Sequence, residues 1–346
     1  MIEFRWESIE EASREGLATP SIPRRVFRDR TNPLDVPSDP IFRSLFRFRR
    51  PVFIHLLDKL MEDLEHSSRR NNALLPVQQL GVALIVLGGN SFQSYAAMGM
   101  TMSQPTVCRA LTRVVRAIIK KINYFISWPD DSEARAISIR FFEMTGIPNI
   151  VGAIDGSHFR IQAPREREYE FVNRKQFHSL NCMVIATPSL MAIAVNARFP
   201  GRSHDSRVFK ESAVYADLVN RRKNGILLGD SAYSAERFLL KPILRPHSDA
   251  ERRYTEAVCR GRVVVENFFG VLKRQFHILH AEMRYEPVRA SHIGTACICL
   301  RNFAARHNEP VFDDEIPEEV DVPAPNIIDN ISGAATRSRI IEQFFT

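Results

Sequence analysis

Cysteine is scarce and poorly arranged for cross-linking. Cys108, Cys182, Cys259, Cys297 and Cys299 are odd in number and contain no Cys-x-x-Cys pair, which argues against a disulfide frame or zinc ribbon and for a reducing compartment. No apolar run approaches the length needed to cross a bilayer, so no membrane association is expected. Met1 to Glu11 is charged throughout, unlike a secretory leader. Internal repeats, low-complexity tracts and a compact lysine-rich import signal are also missing. These absences leave a packed protein of the nucleus or cytosol.

What is present fits ordinary globular usage. The chain has 346 residues, 45% hydrophobic and 25% charged, enough for one large domain or two modest ones. Its net charge is +7, yet Glu309, Asp313, Asp314, Glu315, Glu318, Glu319 and Asp321 form a run with no Lys or Arg among them. Without those seven acids the remainder carries +14. A positive body on an acidic tether suits a polyanion such as nucleic acid, although many basic soluble proteins bind none.

Four segments are expected. Residues 1–40 mix charge with Pro20, Pro23, Pro33, Pro37 and Pro40, which discourages continuous structure and reads as a loosely held arm. Residues 41–148 repeat apolar positions at helical spacing, as in Phe53, Leu56, Leu57, Leu60, Met61 and Leu64, and read as all helix. Within them a buried helix over Leu80–Leu87 ends at Gly88 and Gly89, and Ser91 can cap a short successor. Ser103 caps the next, which has Pro105 in its first turn. The result resembles a helix-turn-helix. Arg109, Arg113 and Arg116, with Lys120 and Lys121, lie largely opposite its apolar stripe, as phosphate contact requires. A plain bundle with a solvated face reads the same way.

Residues 149–308 change texture. Ile150–Ile154, Asn181–Ala186 and Met191–Ala197 predict three strands joined by tight turns. A helix over Ser206–Val219, a buried strand at Ile226–Gly229 and an amphipathic helix over Val263–Leu279 follow. That order specifies an α/β unit, a mixed sheet flanked by helices. Residues 309–346 read as an acidic linker and a C-terminal helix, whose Ile340, Ile341, Phe344 and Phe345 either close the fold or dock a partner.

Three acids fall where such a sheet would gather them. Asp155 closes the first strand before a turning glycine, Asp230 closes the fourth, and Glu266 sits in the first turns of the long helix. Carboxylates so delivered can hold two divalent ions about 3.5 to 4 Å apart and act on a phosphodiester. Bare acids this close would raise one another's pKa values, and a dication relieves them. Oxygen-only donors favour Mg²⁺ or Mn²⁺ over zinc. Any one of these acids alone reads as a surface carboxylate; three in matching contexts outweigh that reading. His158, His178 and His204 match no zinc spacing.

A family resemblance is carried by Gly152 to Pro164, Val172-Asn173-Arg174-Lys175 with Phe177 to Asn181, Gly201 to Ser206, Leu227 to Tyr233, and Val264-Val265-Glu266 with Phe269 to Arg274. In this order and spacing the motifs resemble the PIF/Harbinger class of DDE transposases, most of all the transposase-derived nucleases domesticated by host genomes. The similarity runs from Ser91 to His307.

It implies a ribonuclease-H-like fold and Mg²⁺- or Mn²⁺-dependent cleavage of DNA, with Asp155, Asp230 and Glu266 as the catalytic triad and metal ligands. It adds Asp205 as a fourth metal position, where an aspartate capping a helix is the alternative. It further implies a Myb-like DNA-binding partner that assists nuclear entry. Arg174 and Lys175, with Lys273 and Arg274 beyond Glu266, are positioned to guide DNA. A homo-oligomer is left open, as is a non-catalytic DNA-binding or scaffold protein domesticated from a transposase. Two positions depart from the family. Asn267 stands where relatives often have arginine, and Ala232 where glycine is common; neither removes a metal ligand.

Overall fold

The computed structural model describes residues 29–66, 73–89, 92–313, 327 and 329–346. The expected arm before residue 29, the cap at Ser91 and the acidic run from Asp314 to Asp321 lie outside those residues. Pro33 is buried and packs on Gly81.

Helices α1 (Asp39–Phe46), α2 (Arg50–Leu64), α3 (Pro76–Gly89), α4 (Gln93–Gly99) and α5 (Gln104–Lys120) build the first part, followed by α6 (Ile122–Phe125) and α7 (Asp131–Thr145). Asp130 starts α7 with a full capping box, its carboxylate accepting from Ser132 and Glu133 N–H at 2.8 Å while Glu133 reaches back to Asp130 N–H at 3.1 Å. Helix α5 buries Val107, Ala110, Leu111, Val114, Val115 and Ile118 against α2, α3 and α4.

The sheet contains β1 (Ile150–Arg160), β2 (Ser179–Ala186), β3 (Ala192–Pro200), β4 (Ile226–Leu228) and β5 (Leu239–Leu240), in the order β3-β2-β1-β4-β5. The β1–β2 and β2–β3 pairs are antiparallel, and β4 and β5 join parallel. This mixed five-stranded sheet is consistent with a ribonuclease-H-like core. Alternation sets its two faces. Ile150, Ala153, Val184 and Ala186 join the large core, whereas Val151, Ile154, Met183 and Ile185 pack with Val208, Phe209, Leu218 and Tyr233.

Three local readings change. Strand β1 runs on to Arg160, and α8 (Glu168–Phe171) lies before β2, so no tight turn joins them. The helix expected over Ser206–Val219 is two, α9 (Asp205–Lys210) and α10 (Ala213–Val219), because Ser212 stops the first and caps the second by accepting from Tyr215 N–H at 3.2 Å. Helix α11 spans Asp249–Gln275 and begins 14 residues earlier than Val263. Ser248 caps it, accepting from Glu251 N–H at 3.2 Å.

Helix α12 (Pro287–Arg306) is buried along most of its length, packing on α5 and β3. Its Asn302 amide accepts from Ala192 N–H at 2.8 Å and donates to Ala192 O at 2.6 Å and Phe125 O at 3.0 Å. The helical part and the sheet therefore share one core. Helix α13 (Ile331–Phe344) closes the fold, with Ile340 buried and Phe345 edge-on to Tyr254 at 5.9 Å. No described helix is long and apolar enough to cross a membrane.

Candidate active site

The opening that forms the site follows from unequal strand lengths. Parallel pairing of β1 with β4 ends at Ala153 and Leu228, while β1 continues along β2 to Arg160. Beyond Ile154 one side of β1 therefore lacks a strand partner. The chain leaving β4 delivers Asp230 there.

Asp155 lies within β1 rather than at its end, and Gly156 continues the strand instead of turning it. Asp155 shares Ala153's side of the pleat, which α11 covers. Glu266 stands in mid-helix, well past the first turns, because α11 starts so early. One turn before it, Arg262 Nη2 lies 3.3 Å from Asp155 Oδ2 and 3.3 Å from Glu266 Oε1. The charge of Asp230 acts on both Asp155 and Arg262, and its Oδ1 accepts from Ala232 N–H at 2.9 Å.

Asp205 opens α9 but does not cap it; the capping position is His204, with no side-chain bond to the helix. Its carboxylate turns inward, accepting from Asn181 Nδ2 at 2.6 Å. It packs so closely on Gly156 that a Cβ there would overlap it. The glycine of the Asp-Gly pair is therefore a spacer between two acids. Gly156→Ala is expected to cost roughly 1–3 kcal/mol and to displace Asp205, seen as a lower urea midpoint and weaker Mn²⁺ stabilisation; unchanged values would mean that Asp205 does not need this contact.

The acids are electrostatically crowded. Burial pushes the Asp155 carboxyl up to about 7, Arg262 pulls it down, and Asp230 and Asp205 add to the rise. Burial raises Asp205 too, against the Asn181 hydrogen bond. Tyr233 is fully buried and held well above its ordinary value, first by burial and then by Asp205, Asp155 and Asp230. Burial alone would lower Arg262, but the surrounding carboxylates raise it.

Among the described residues no three His, Cys, Asp or Glu side chains stand close enough to hold an ion as placed. The Arg262 guanidinium fills the space between Asp155 and Glu266. The donor set nonetheless suits a hard dication: four carboxylates, three of them at least partly buried, and the buried Asn181 Oδ1 and Tyr233 hydroxyl, which have no hydrogen-bond partner among the described residues. Arg262 would have to move aside.

Other expected residues are scattered. Arg109 and Arg116 are exposed on α5, where Arg113 touches the His66 ring at 2.7 Å. Arg174 contacts His204 beside Asp205, and Lys175 is half-buried next to it. Lys273 is a correction. Beyond Glu266 helix α11 continues beneath β2, so Lys273 is buried near the Cys182 thiol and not open to DNA. Arg274 is half-buried. His158 Nδ1 lies 3.0 Å from Ser179 Oγ, and His178 Nε2 lies 3.0 Å from Glu168. Sequence reasoning missed Arg262, Tyr233 and Asn181. Arg262 was accessible as the residue four before Glu266, facing the same way on a helix.

Residues 154–302 match the family described as DDE superfamily endonuclease, a span holding all four acids. The chain is 29% identical over 295 residues to "Putative nuclease HARBI1" of Bos taurus, covering 84% of each chain. It is 28% identical over 286 residues to the protein of that name from Xenopus laevis, covering 81% of this chain and 82% of the other. Against "Protein ALP1-like" of Arabidopsis thaliana it is 25% identical over 321 residues, covering 84% of this chain and 76% of that one. No solved structure matches it. Residues 154–302 thus carry a DDE superfamily endonuclease domain, and similarity to these nuclease-named relatives extends along most of the chain.

Proposed function

We propose that this protein hydrolyses phosphodiester bonds of DNA, with Asp155, Asp230 and Glu266 as its catalytic carboxylates and Asp205 as a fourth ligand to Mg²⁺ or Mn²⁺. One observation carries the proposal. Acids separated by 74 residues or more from Asp155 converge on a single guanidinium at the open side of β1. Divalent cations bound there would supply an activated water and neutralise charge at the departing oxygen. The chain's own part is positioning: β1 fixes Asp155, Asn181 holds Asp205, and Ala232 N–H anchors Asp230. Arg262 compensates the charge of Asp155 and Glu266, and with cations held by these acids its guanidinium would be free to face phosphate.

The exposed arginines of α5 support DNA contact by a helix-turn-helix element formed with α4, and the family supports a Myb-like partner and nuclear residence. A second reading has a specific observation behind it. Arg262 already neutralises Asp155 and Glu266, as it would in a domesticated DNA-binding protein that no longer turns over. The two separate in a plasmid and oligonucleotide cleavage assay with Mg²⁺, Mn²⁺ or chelator. Metal-dependent nicking is expected; DNA binding with no turnover on any substrate would favour the second.

A further inference from the structure

A groove of about 890 Å³ opens beside the carboxylates, reaching from the α8 loop across the end of β3 to α9. Arg167, Arg174, Arg198, Arg202 and Arg207 line it, and Glu170 is the only acid among the lining residues. All five guanidinium-bearing residues are exposed. Arg207 pairs with Glu211 at 2.7 Å, Arg167 approaches Glu170 at 3.8 Å, and Arg174 contacts His204. Arg198 and Arg202 have no side-chain hydrogen bond or ion pair within the described residues. On α5, by comparison, Lys120 is taken up by Asp63 at 2.7 Å and Arg113 by His66, while Arg109 and Arg116 are exposed.

Two further features give the groove a direction and a ligand class. His204 lines it and is followed in the chain by Asp205, which places one end of the groove next to the residue that carries a candidate metal ligand. Tyr169 lies along its wall with 63% of its surface exposed, so its ring face is open to stacking. Unpaired guanidiniums along an open channel with an exposed ring match a polyanion with planar groups. A compact phosphate would need converging donors, whereas these arginines are spread over a loop, a strand end and a helix.

We infer that this groove carries the sugar-phosphate backbone of the DNA strand running away from the scissile bond, with Arg198 and Arg202 on phosphates and Tyr169 beneath a base. The identity of the polymer rests on the nuclease reading; the phosphate contacts do not. The groove was hidden in the sequence because its arginines are scattered over about 40 positions and become neighbours only through the β3 and α9 connection.

The test is fluorescence anisotropy with labelled single-stranded and duplex oligonucleotides in chelator, so that no turnover contributes. Arg198→Glu/Arg202→Glu is expected to weaken binding by about tenfold or more and to reduce the slope of log K against log salt by roughly two. Arg198→Gln/Arg202→Gln should give the same direction with a smaller loss, and it serves if charge reversal disturbs the melting temperature. Tyr169→Ala should weaken single-strand binding by about fivefold or more. Unchanged affinity and salt slope in both double variants would overturn the inference, as would loss of binding to an acidic peptide but not to DNA. If wild-type protein cleaves nothing while the double variants bind DNA poorly, the groove stands and the nuclease reading fails. If wild type cleaves and the variants bind and cleave as it does, the nuclease reading stands and the groove fails.

Discussion

Asp230→Asn is expected to lower Mn²⁺-dependent DNA cleavage on the order of a thousandfold or more, while leaving the fold and the affinity for DNA in place. The change is nearly isosteric. An amide oxygen can still accept from Ala232 N–H, the bond that now fixes the start of the loop after β4 at 2.9 Å. What disappears is one negative charge from a group whose field already raises Asp155. Without cations the variant should therefore melt at the same temperature as wild type or slightly higher. Binding to a polyanion should be unchanged or a little tighter, since an acid has been neutralised beside the phosphate path. Together these outcomes identify a ligand and not a structural prop. Retained cleavage would remove Asp230 from the mechanism, and a large fall in melting temperature would make its role structural.

The readable and unreadable parts of the chain divide along physical lines. Strands β2, β3 and β4 emerged within about three residues of their bounds, because their faces are buried and their residues apolar or β-branched. The extension of β1 did not, since Gly156-Ser157-His158 looks like a turn yet continues the strand along β2, with no strand on its other side. The first half of α11 was concealed by Glu251, Arg252, Arg253, Glu256 and Arg260, which outnumber the buried stripe of Tyr254, Ala257, Val258 and Gly261. Gly261 has a reason in packing. A Cβ there would collide with Leu228, so its absence lets α11 approach β4 and bring Glu266 within reach. Helix α12 has the opposite problem: buried on nearly every side, it shows no amphipathic period to detect. The acids were legible as individuals. Their convergence, and the arginine between them, required the fold.

That arginine gives the metal-free protein a distinctive dependence on pH. Asp155 titrates near 7 in the folded chain against an ordinary value of 3.8. Its folded form thus holds a proton that the unfolded chain has already released between about pH 4 and 7. Stability without metal therefore falls as pH rises through that window. Arg262 limits the fall, because its guanidinium faces an ionised Asp155 with little water between them; their side chains are 17% and 20% exposed. Its contact with the half-exposed Glu266 contributes little. Removing Arg262 leaves a buried carboxyl near two other acids that keeps its proton to still higher pH, so at pH 8 the variant forgoes up to about 1.4 kcal/mol that ionisation near 7 gives the wild type. At pH 5 Asp155 is protonated with or without the arginine, so Arg262→Ala should melt close to wild type. At pH 8 it should melt a few degrees lower. Saturating Mn²⁺ should recover most of that difference, since a dication held by the same acids takes over the charge the guanidinium supplied. Equal losses at both pH values would mean that Arg262 acts through packing alone. Recovery by Mn²⁺ that is no larger in the variant than in wild type would separate the cation site from the Arg262 position.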